Sequence, residues 1–222
     1  PADICLAAVP PRQVTADALI FPHGKRPTAL MNLKRGALIG TSSPRRVYQL
    51  QACRPDIKVC EIRGNVDTRL HKLNDGLCEA LVLAEAGLLR LGMNPPRVHL
   101  EGADHVPAAA QGALAIECLA GNIEVRKICL ALDHGPSHAA VDAEREVLRL
   151  LKAGCHMPLG VHATMLGDGR LQLEASLPRC PGFAGFYRVL EDGSGLKLAD
   201  LMATALRREA GRELTRWQDV SS

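Results

Sequence analysis

The sequence has few aromatic residues, little net charge and no long apolar run. Phe, Trp and Tyr together make up 3% of the 222 residues, which argues against a surface that stacks on nucleic-acid bases. A net charge of +3 is too small for a general polyanion binder. No apolar run approaches the roughly 20 residues of a membrane-spanning helix. We therefore expect a soluble protein that binds neither nucleic acid nor membrane.

The eight cysteines show no spacing that is typical of a redox or metal motif. They lie at positions 5, 53, 60, 78, 118, 129, 155 and 180, with no CxxC pair. Most lie in apolar runs, as Cys60 and Cys129 do, and are predicted to be small buried hydrophobes. A disulfide framework is not expected in a chain of this length, so we predict a reducing, cytoplasmic location. His134 and His138 are separated by Gly-Pro and predict no metal site.

The first half of the chain alternates strand and helix patterns, which predicts a parallel sheet with helices on both faces. Predicted strands cover 37–39, 57–62 and 80–84, and predicted helices cover 44–53 and 66–73. Pro44 is expected at the first helical position after Ser43 as N-cap. Residues 93–112 are irregular and predict a crossover between domains. The chain opens at Pro1 on a strand-like run, from which we expect that its front is missing.

The second half changes in pattern and predicts a small α+β unit. The predicted elements are a strand at 113–118, helices at 123–132 and 137–151, strands at 161–166, 171–176 and 183–190, and a closing helix at 196–210. Ser137 is the expected cap of the second helix. Gly167-Asp168-Gly169 predicts a hairpin turn.

Two stretches place arginines and backbone N–H groups at predicted helix starts. They are Gly40-Thr41-Ser42-Ser43-Pro44-Arg45-Arg46 and Arg63-Gly64-Asn65-Val66-Asp67-Thr68-Arg69. A helix N-terminus favours anions, and a guanidinium group adds bidentate recognition of carboxylate or phosphate. Two such sites at the carboxyl ends of neighbouring strands predict a ligand with several negative groups. The alternative, solvated arginines that pair with Asp or Glu, stays open.

Cys155 lies in Ala153-Gly154-Cys155-His156, just past a predicted helix end. A helix C-terminus does not lower a thiol pKa, so the local chemistry does not favour a general thiolate enzyme. Covalent capture of a strongly electrophilic partner would not need a lowered pKa. A buried packing cysteine is the competing interpretation from spacing alone. Gln111-Gly112 likewise predicts a plain turn, a tight approach to a ligand or a hinge, with the plain turn favoured by spacing alone.

Five motifs, in this order along the chain, are similar to those of one enzyme family. They are Gly40-Thr41-Ser42-Ser43-x-Arg45-Arg46, Arg63-Gly64-Asn65-Val66-x-Thr68-Arg69, Leu83-Ala84-x-Ala86-Gly87-Leu88-x-Arg90-Leu91-Gly92, Gln111-Gly112-Ala113-Leu114-x-Ile116-Glu117, and Ala143-Glu144-Arg145 ahead of Gly154-Cys155-x-x-Pro158. The chain resembles porphobilinogen deaminase, also called hydroxymethylbilane synthase, over nearly its whole length and more weakly beyond residue 176.

The resemblance implies an α/β fold with two periplasmic-binding-protein-like domains, the first incomplete here, and a small C-terminal α+β domain. We expect residues 1–15 and 113–132 in the first domain, 16–112 in the second and 133–222 in the last. The implied activity is that of a transferase in porphyrin and heme biosynthesis. It deaminates four porphobilinogen units and joins them into the linear tetrapyrrole hydroxymethylbilane. A monomer is expected.

The resemblance also implies a dipyrromethane cofactor, joined to Cys155 by a thioether. Each pyrrole of the substrate carries an acetate and a propionate, so the site needs several cations. By match of motif, the residues that would hold the cofactor are Ser42, Ser43, Arg45, Arg46, Arg63, Gly64 and Arg69. Those that would hold the substrate are Thr41, Arg90, Gln111 and Gly112.

Three departures from the family pattern stand out. The family has a front segment whose aspartate stabilises charge on the pyrrole nitrogens, and no residue here matches it. We therefore expect little or no turnover from this chain alone. Pro44 replaces a residue that is usually leucine, and Ala110 stands where the family favours glycine. The rival hypothesis is a non-enzymatic anion-binding module of the periplasmic-binding type, with Cys155 only structural.

Overall fold

A computed structural model describes residues 3–154, 156–179 and 183–219. The strands in these ranges are β1 (Ile4–Ala8), β2 (Asp17–Ile20), β3 (Leu38–Gly40), β4 (Lys58–Cys60), β5 (Ala80–Ala84), β6 (Arg97–Leu100), β7 (Ile116–Leu119), β8 (Gly160–Met165), β9 (Leu171–Leu177) and β10 (Phe186–Asp192). The α-helices are α1 (Pro44–Cys53), α2 (Val66–Asn74), α3 (Glu85–Arg90), α4 (Ile123–Leu130), α5 (Gly135–Leu151) and α6 (Gly195–Asp219). Over these described ranges, no helix has both the length and the apolar character that crossing a membrane requires.

A five-stranded sheet in the order β4-β3-β5-β2-β6 forms the largest unit. The three strands predicted from the alternating pattern are parallel as expected, but the sheet as a whole is mixed. β3 pairs in parallel with β4 and β5, whereas β2 runs antiparallel to both β5 and β6. The sequence pattern failed here because β2 and β6 have only four residues each and lie outside the alternating region. β6 lies inside the segment that was expected to be irregular.

Both faces of this sheet are buried, as a central sheet between helices requires. Leu19 and Val82 face the side that α1 covers, and their chain neighbours Ile20 and Leu81 face the side that α2 and α3 cover. The period of two along each strand sends alternate side chains into two separate cores. The helices follow the prediction closely: α1 begins at Pro44 with Ser43 as N-cap.

The C-terminal unit is the expected antiparallel meander covered by two helices. The strands follow the order β10-β9-β8, and the turn between β8 and β9 contains Gly169 with a φ of 81°. Helices α5 and α6 pack on the sheet around a core that includes Val147 and Leu173. Two helix details differ from the prediction. His134, not Ser137, is the N-cap of α5, and α6 continues past Ala210, where one residue leaves helical geometry.

β1 and β7 form a separate two-stranded antiparallel sheet. Its small core contains Ala7, Ala8 and Cys129, the last from α4. Two segments, 9–16 and 101–115, connect this sheet to the five-stranded one. The prediction that Cys60 is buried is wrong, because it is only half-buried, while Cys129 is buried as expected. Cys155 and Cys180 lie outside the described residues.

Candidate functional site

The loops after β3 and β4 are joined directly to each other at the carboxyl ends of the two strands. Ser42 Oγ donates to the carbonyl of Ile62 at 2.7 Å and accepts from the Ile62 N–H at 3.1 Å. Thr41 is buried, and its N–H donates to the Cys60 carbonyl at 3.0 Å. Because β3 and β4 are parallel, these bonds bring the starts of α1 and α2 to the same edge of the sheet.

Both arginines at the start of α1 bind a buried carboxylate on β2. Arg45 Nη1 lies 2.8 Å from Asp17 Oδ2, and Arg46 donates to Asp17 Oδ1 from Nη2 at 2.8 Å and from Nε at 3.0 Å. Burial raises the pKa of the Asp17 carboxyl, but Arg46 and Arg45 outweigh it, so the pKa lies below its usual value. The two arginines at the start of α1 therefore also neutralise the buried charge of Asp17.

Gln111 connects this cluster to the crossover segment. Its Nε2 donates to Asp17 Oδ1 at 2.9 Å and to the Thr15 carbonyl at 2.6 Å. Its Oε1 accepts from Arg45 Nη2 at 3.1 Å. The next residue, Gly112, has a φ of 82°, and a Cβ there would lie 2.8 Å from the Gln13 carbonyl oxygen. Gln111-Gly112 is thus a close approach of two backbone segments, which only glycine permits at the second position.

Arg90 at the end of α3 contacts the same crossover. Arg90 is exposed, and its Nη2 donates to the Gly112 carbonyl at 2.7 Å. The Gly112 carbonyl also accepts from the Gln13 N–H at 3.0 Å. Arg90 therefore lies beside Gly112, one of the residues with which the resemblance implies a shared role.

The start of α2 carries the accessible cations. Asn65 is the N-cap, with its side chain accepting from the Thr68 N–H at 2.9 Å. The side chain of Arg63 is 81% exposed and pairs with Glu61 at 2.6 Å. Arg69 Nε donates to the Gly64 carbonyl at 2.7 Å, and Gly64 has a φ of 123°. These arginines lie on the exposed rim next to the N-terminal turn of α2.

One buried carboxylate, which the sequence analysis quoted only as part of a family motif and without a role, organises the crossover. Glu144 on α5 is completely buried and accepts from Arg12 Nη1 at 2.6 Å and from Arg12 Nη2 at 3.1 Å. It also accepts from the backbone N–H groups of Ala110 at 2.5 Å and Ala163 at 2.7 Å. Arg12 Nε donates in turn to the Gln111 carbonyl at 2.9 Å. Glu144 therefore joins both connecting segments to the C-terminal unit.

The predicted site residues divide by accessibility. Arg45, Thr41 and Gly112 are buried, Ser43, Arg46, Arg69 and Gln111 are half-buried, and Ser42, Arg63, Gly64 and Arg90 are exposed. Asp17, Arg12 and Glu144 were missed as parts of this network. A carboxylate such as Asp17, alone in a short apolar strand, was the available signal, because such a charge needs a buried partner.

The donor set suits a ligand with several carboxylates, such as the implied dipyrromethane. Arg63 and Arg69 lie beside the helix N-terminus of α2, and both features favour anions. Ser42 is exposed, but its hydroxyl already donates its proton to the Ile62 carbonyl. Arg45 Nε is buried and has no hydrogen-bond acceptor among the described residues. Cys155, the attachment residue that the resemblance implies, lies outside those residues, so this fit concerns the non-covalent contacts only.

The structure is that of a mixed α/β protein with arginines at the carboxyl ends of two parallel strands. Residues 1–127 match a family model described as "Porphobilinogen deaminase, dipyromethane cofactor binding domain", and residues 138–181 match "Porphobilinogen deaminase, C-terminal domain". The chain belongs to the porphobilinogen deaminase family, whose members are enzymes of porphyrin biosynthesis with a dipyrromethane cofactor.

Curated relatives named porphobilinogen deaminase support this membership over most of the chain. The relative from Desulforudis audaxviator is 45% identical over 92% of this chain and 72% of the relative. Those from Thermus thermophilus and Syntrophobacter fumaroxidans are 40% and 37% identical over 96% of this chain. This chain covers 71% and 66% of their lengths, and only 54% of a relative from Nitratidesulfovibrio vulgaris. The relatives are thus considerably longer.

Solved structures that align with the chain are distant. A second substrate-binding domain of a putative amino acid ABC transporter from Streptococcus pneumoniae aligns at 16% identity, covering 58% of this chain and 56% of the other, with a TM-score of 0.39. A mutant of arginine-bound ArgBP from T. maritima aligns at 16% identity over 59% of each chain, with a TM-score of 0.34. The family assignment therefore depends on sequence.

Proposed function

We propose that this chain binds a dipyrromethane through Cys155 and takes part in joining four porphobilinogen units into hydroxymethylbilane. The observation that carries the proposal is the match of residues 1–127 to the cofactor-binding domain of the family. When bound, the cofactor supplies the free pyrrole carbon to which the growing chain is attached. The residues of the chain bind and orient its carboxylates.

The accessible rim supports direct binding of these carboxylates. Arg63 pairs only with the exposed Glu61 through its guanidinium among the described residues, so an incoming carboxylate can replace Glu61 at little cost, because exposed ion pairs are weak. The backbone N–H groups at the start of α2 add further donors. Arg69 is held beside this turn by Gly64.

The buried residues support a positioning role. Asp17 fixes the guanidinium groups of Arg45 and Arg46, and Gln111 fixes Asp17 to the crossover. The side chain of Arg45 is only 5% exposed, so we expect it to hold the loop after β3 in place. Arg46, with 13% of its side chain exposed, can offer its outer edge to a ligand.

The test is the intact mass of the chain after incubation with porphobilinogen or with preformed hydroxymethylbilane. We expect a covalent adduct of two pyrrole units that maps to Cys155 and is absent from C155S. C180S is the matched control and should retain the adduct. An adduct that survives in C155S, or no adduct on a folded chain, would overturn cofactor attachment at Cys155.

A second measurement addresses the rim. The variants R63A and K58A both remove an exposed cation, the first at the predicted site and the second on the neighbouring strand β4. The affinity for a dipyrromethane carboxylic acid is measured from the rise in melting temperature as the acid is added. We expect R63A to lower this affinity at least several-fold and K58A to leave it unchanged. Equal effects would favour non-specific charge attraction instead. Binding without any covalent adduct would favour the non-enzymatic anion-binding module.

A further inference from the structure

Two cysteines face each other across the two-stranded sheet. Cys5 on β1 is the direct register partner of Cys118 on β7. Their Sγ atoms lie 3.8 Å apart. Both residues are half-buried rather than enclosed in a core, so both sulfur atoms are within reach of small solutes.

The backbone already has the spacing that a disulfide needs. Directly opposed residues of an antiparallel ladder have Cα atoms about 4.5–5.5 Å apart, which lies inside the range of roughly 4.4–6.8 Å for disulfides. The two sulfur atoms must approach from 3.8 Å to about 2.0 Å, which rotation of the side chains can supply. The strands do not have to separate or change register.

The other described cysteines lack this combination of contact and access. Cys78 interacts with Cys60, but Cys78 is buried in the core of the five-stranded sheet, next to Gly40. Cys129 is buried beneath Cys118. Cys53 has His105 as its neighbour at 3.7 Å. The pair of Cys60 and Cys78 therefore provides a control with proximity but without access.

We propose that Cys5 and Cys118 form a reversible disulfide, and that this dithiol is a modification site for low-molecular-weight disulfides such as glutathione disulfide. The proposal is independent of the proposed catalytic function. It leaves the other described cysteines as thiols, as the expectation that the chain has no disulfide framework requires.

The reaction balances in two exchanges. The thiolate of one cysteine attacks a sulfur of glutathione disulfide, and one glutathione leaves and takes up a proton. The second cysteine loses its proton to solvent and attacks the sulfur of the resulting mixed disulfide, which releases the second glutathione. Two protein thiols are oxidised to one disulfide, and one glutathione disulfide is reduced to two thiols. Partial burial and the contact with Cys5 raise the pKa of Cys118, so Cys118 suits the second, resolving step.

Oxidation would covalently close the chain between β1 and β7. The closed interval of 113 residues contains the entire five-stranded sheet and both connecting segments. A two-stranded sheet with a small core is only marginally stable by itself, and a cross-link over a long loop stabilises the folded state by restricting the unfolded chain. The disulfide would therefore hold β1 against β7.

The test is a non-reducing peptide map of the full chain after reduction, desalting and incubation with glutathione disulfide. We expect a peptide pair linked through Cys5 and Cys118 that disappears on treatment with dithiothreitol. We also expect the melting temperature of the oxidised chain to rise by about 5–15 °C, from the loop-closure effect and the usual dependence on stability. Faster migration in a non-reducing denaturing gel should accompany the link.

The variants C5S and C118S should each lose the linked peptide and the rise in melting temperature, and C78S should retain both. Three outcomes would overturn the proposal. The first is a separate glutathione adduct on each of Cys5 and Cys118 with no link between them, and the second is a link between Cys118 and Cys129. The third is that Cys5 and Cys118 stay free after other thiols have reacted. If a variant does not fold, the peptide map of the unmodified sequence still decides between these outcomes.

Discussion

Arg12 and Glu144 form a buried bidentate ion pair across 132 residues of the chain. The pair joins the segment that leaves β1 to helix α5 of the C-terminal unit. Because Glu144 also accepts from Ala110 and Ala163, its carboxylate has four protein donors. It is the point where both connecting segments and the C-terminal unit meet.

Replacing Glu144 with glutamine should lower the free energy of unfolding by about 3 kcal/mol, because a buried guanidinium group would lose its counter-charge. Urea denaturation of E144Q measures this loss. E146Q is the matched control on the same helix, since Glu146 pairs with Arg149 in an exposed i,i+3 arrangement, which contributes little. Similar midpoints for E144Q and E146Q would contradict the role given to the buried pair.

Replacing Ala110 with glycine should raise the stability of the protein. Ala110 has a φ of 60°, a conformation that costs a residue with a Cβ roughly 1–2 kcal/mol. Part of this gain is offset by the greater freedom of glycine in the unfolded chain, so A110G should stabilise the protein by about 0.5–1 kcal/mol. The thermal midpoint reports the change.

The control for A110G lies two residues earlier. Ala108 belongs to the same segment but is not among the described residues with positive φ, so A108G should destabilise the chain through unfolded-state entropy alone. Two substitutions of the same kind would then have opposite signs. If both lowered the midpoint, strain at Ala110 would be refuted.

Because of Asp17, the free energy of unfolding should decrease as the pH is lowered. Its folded-state pKa lies below the usual value despite burial, because Arg46 and Arg45 outweigh desolvation. The unfolded chain therefore binds a proton more readily, and the stabilisation present above about pH 4 is lost as the pH falls through the folded-state pKa. We expect D17N to be less stable at neutral pH but to show a shallower loss on acidification.

The measurement for Asp17 is the free energy of unfolding between neutral and acidic pH, with the exposed Asp200 on α6 as control position. D200N should keep the acid slope of the unmodified chain. If D17N does not fold, an NMR titration of the Asp17 carboxyl carbon in the unmodified chain reads the lowered pKa directly. A normal or raised pKa in that titration would reject the prediction.

The surface around α4 and β7 should bind hydrophobic dyes. Ile128, Ile123 and Leu119 are 71%, 64% and 59% exposed and lie close in sequence on neighbouring elements. Exposed apolar side chains favour association where they share one surface, as we expect for these residues. I128K should reduce the fluorescence of a bound naphthalenesulfonate dye and any concentration-dependent sedimentation. L196K removes a similarly exposed residue, at 67%, from the start of α6 and should change neither. Equal fluorescence of I128K and the unmodified chain would exclude this surface.

Features with a short-range cause were predicted well from the sequence. Pro44 begins α1 after Ser43 because proline suits the first helical position,. β5 follows its apolar run at 80–84, and α2 begins at Val66 as predicted. The motifs also identified the family, which the family models confirm.

Features that depend on distant partners were not predicted. β2 is too short to be predicted as a strand from its own sequence, and it is stabilised by pairing with both β5 and β6. The sequence predicted Arg45 as a ligand-binding cation, but its burial follows from Asp17 approaching from β2. Whether Arg45 also supports ligand binding stays a prediction.

The sequence by itself determined the position of the helices, the N-cap of α1, the hairpin and the family, because local propensity and contiguous motifs do not require knowledge of long-range contacts. The tertiary structure decided the mixed direction of the sheet, the pairing of Glu144 with Arg12 and the contact of Cys5 with Cys118. Each of these joins residues that are far apart in the chain. Only folding brings such groups within the few ångströms at which hydrogen bonds, ion pairs and thiol exchange operate.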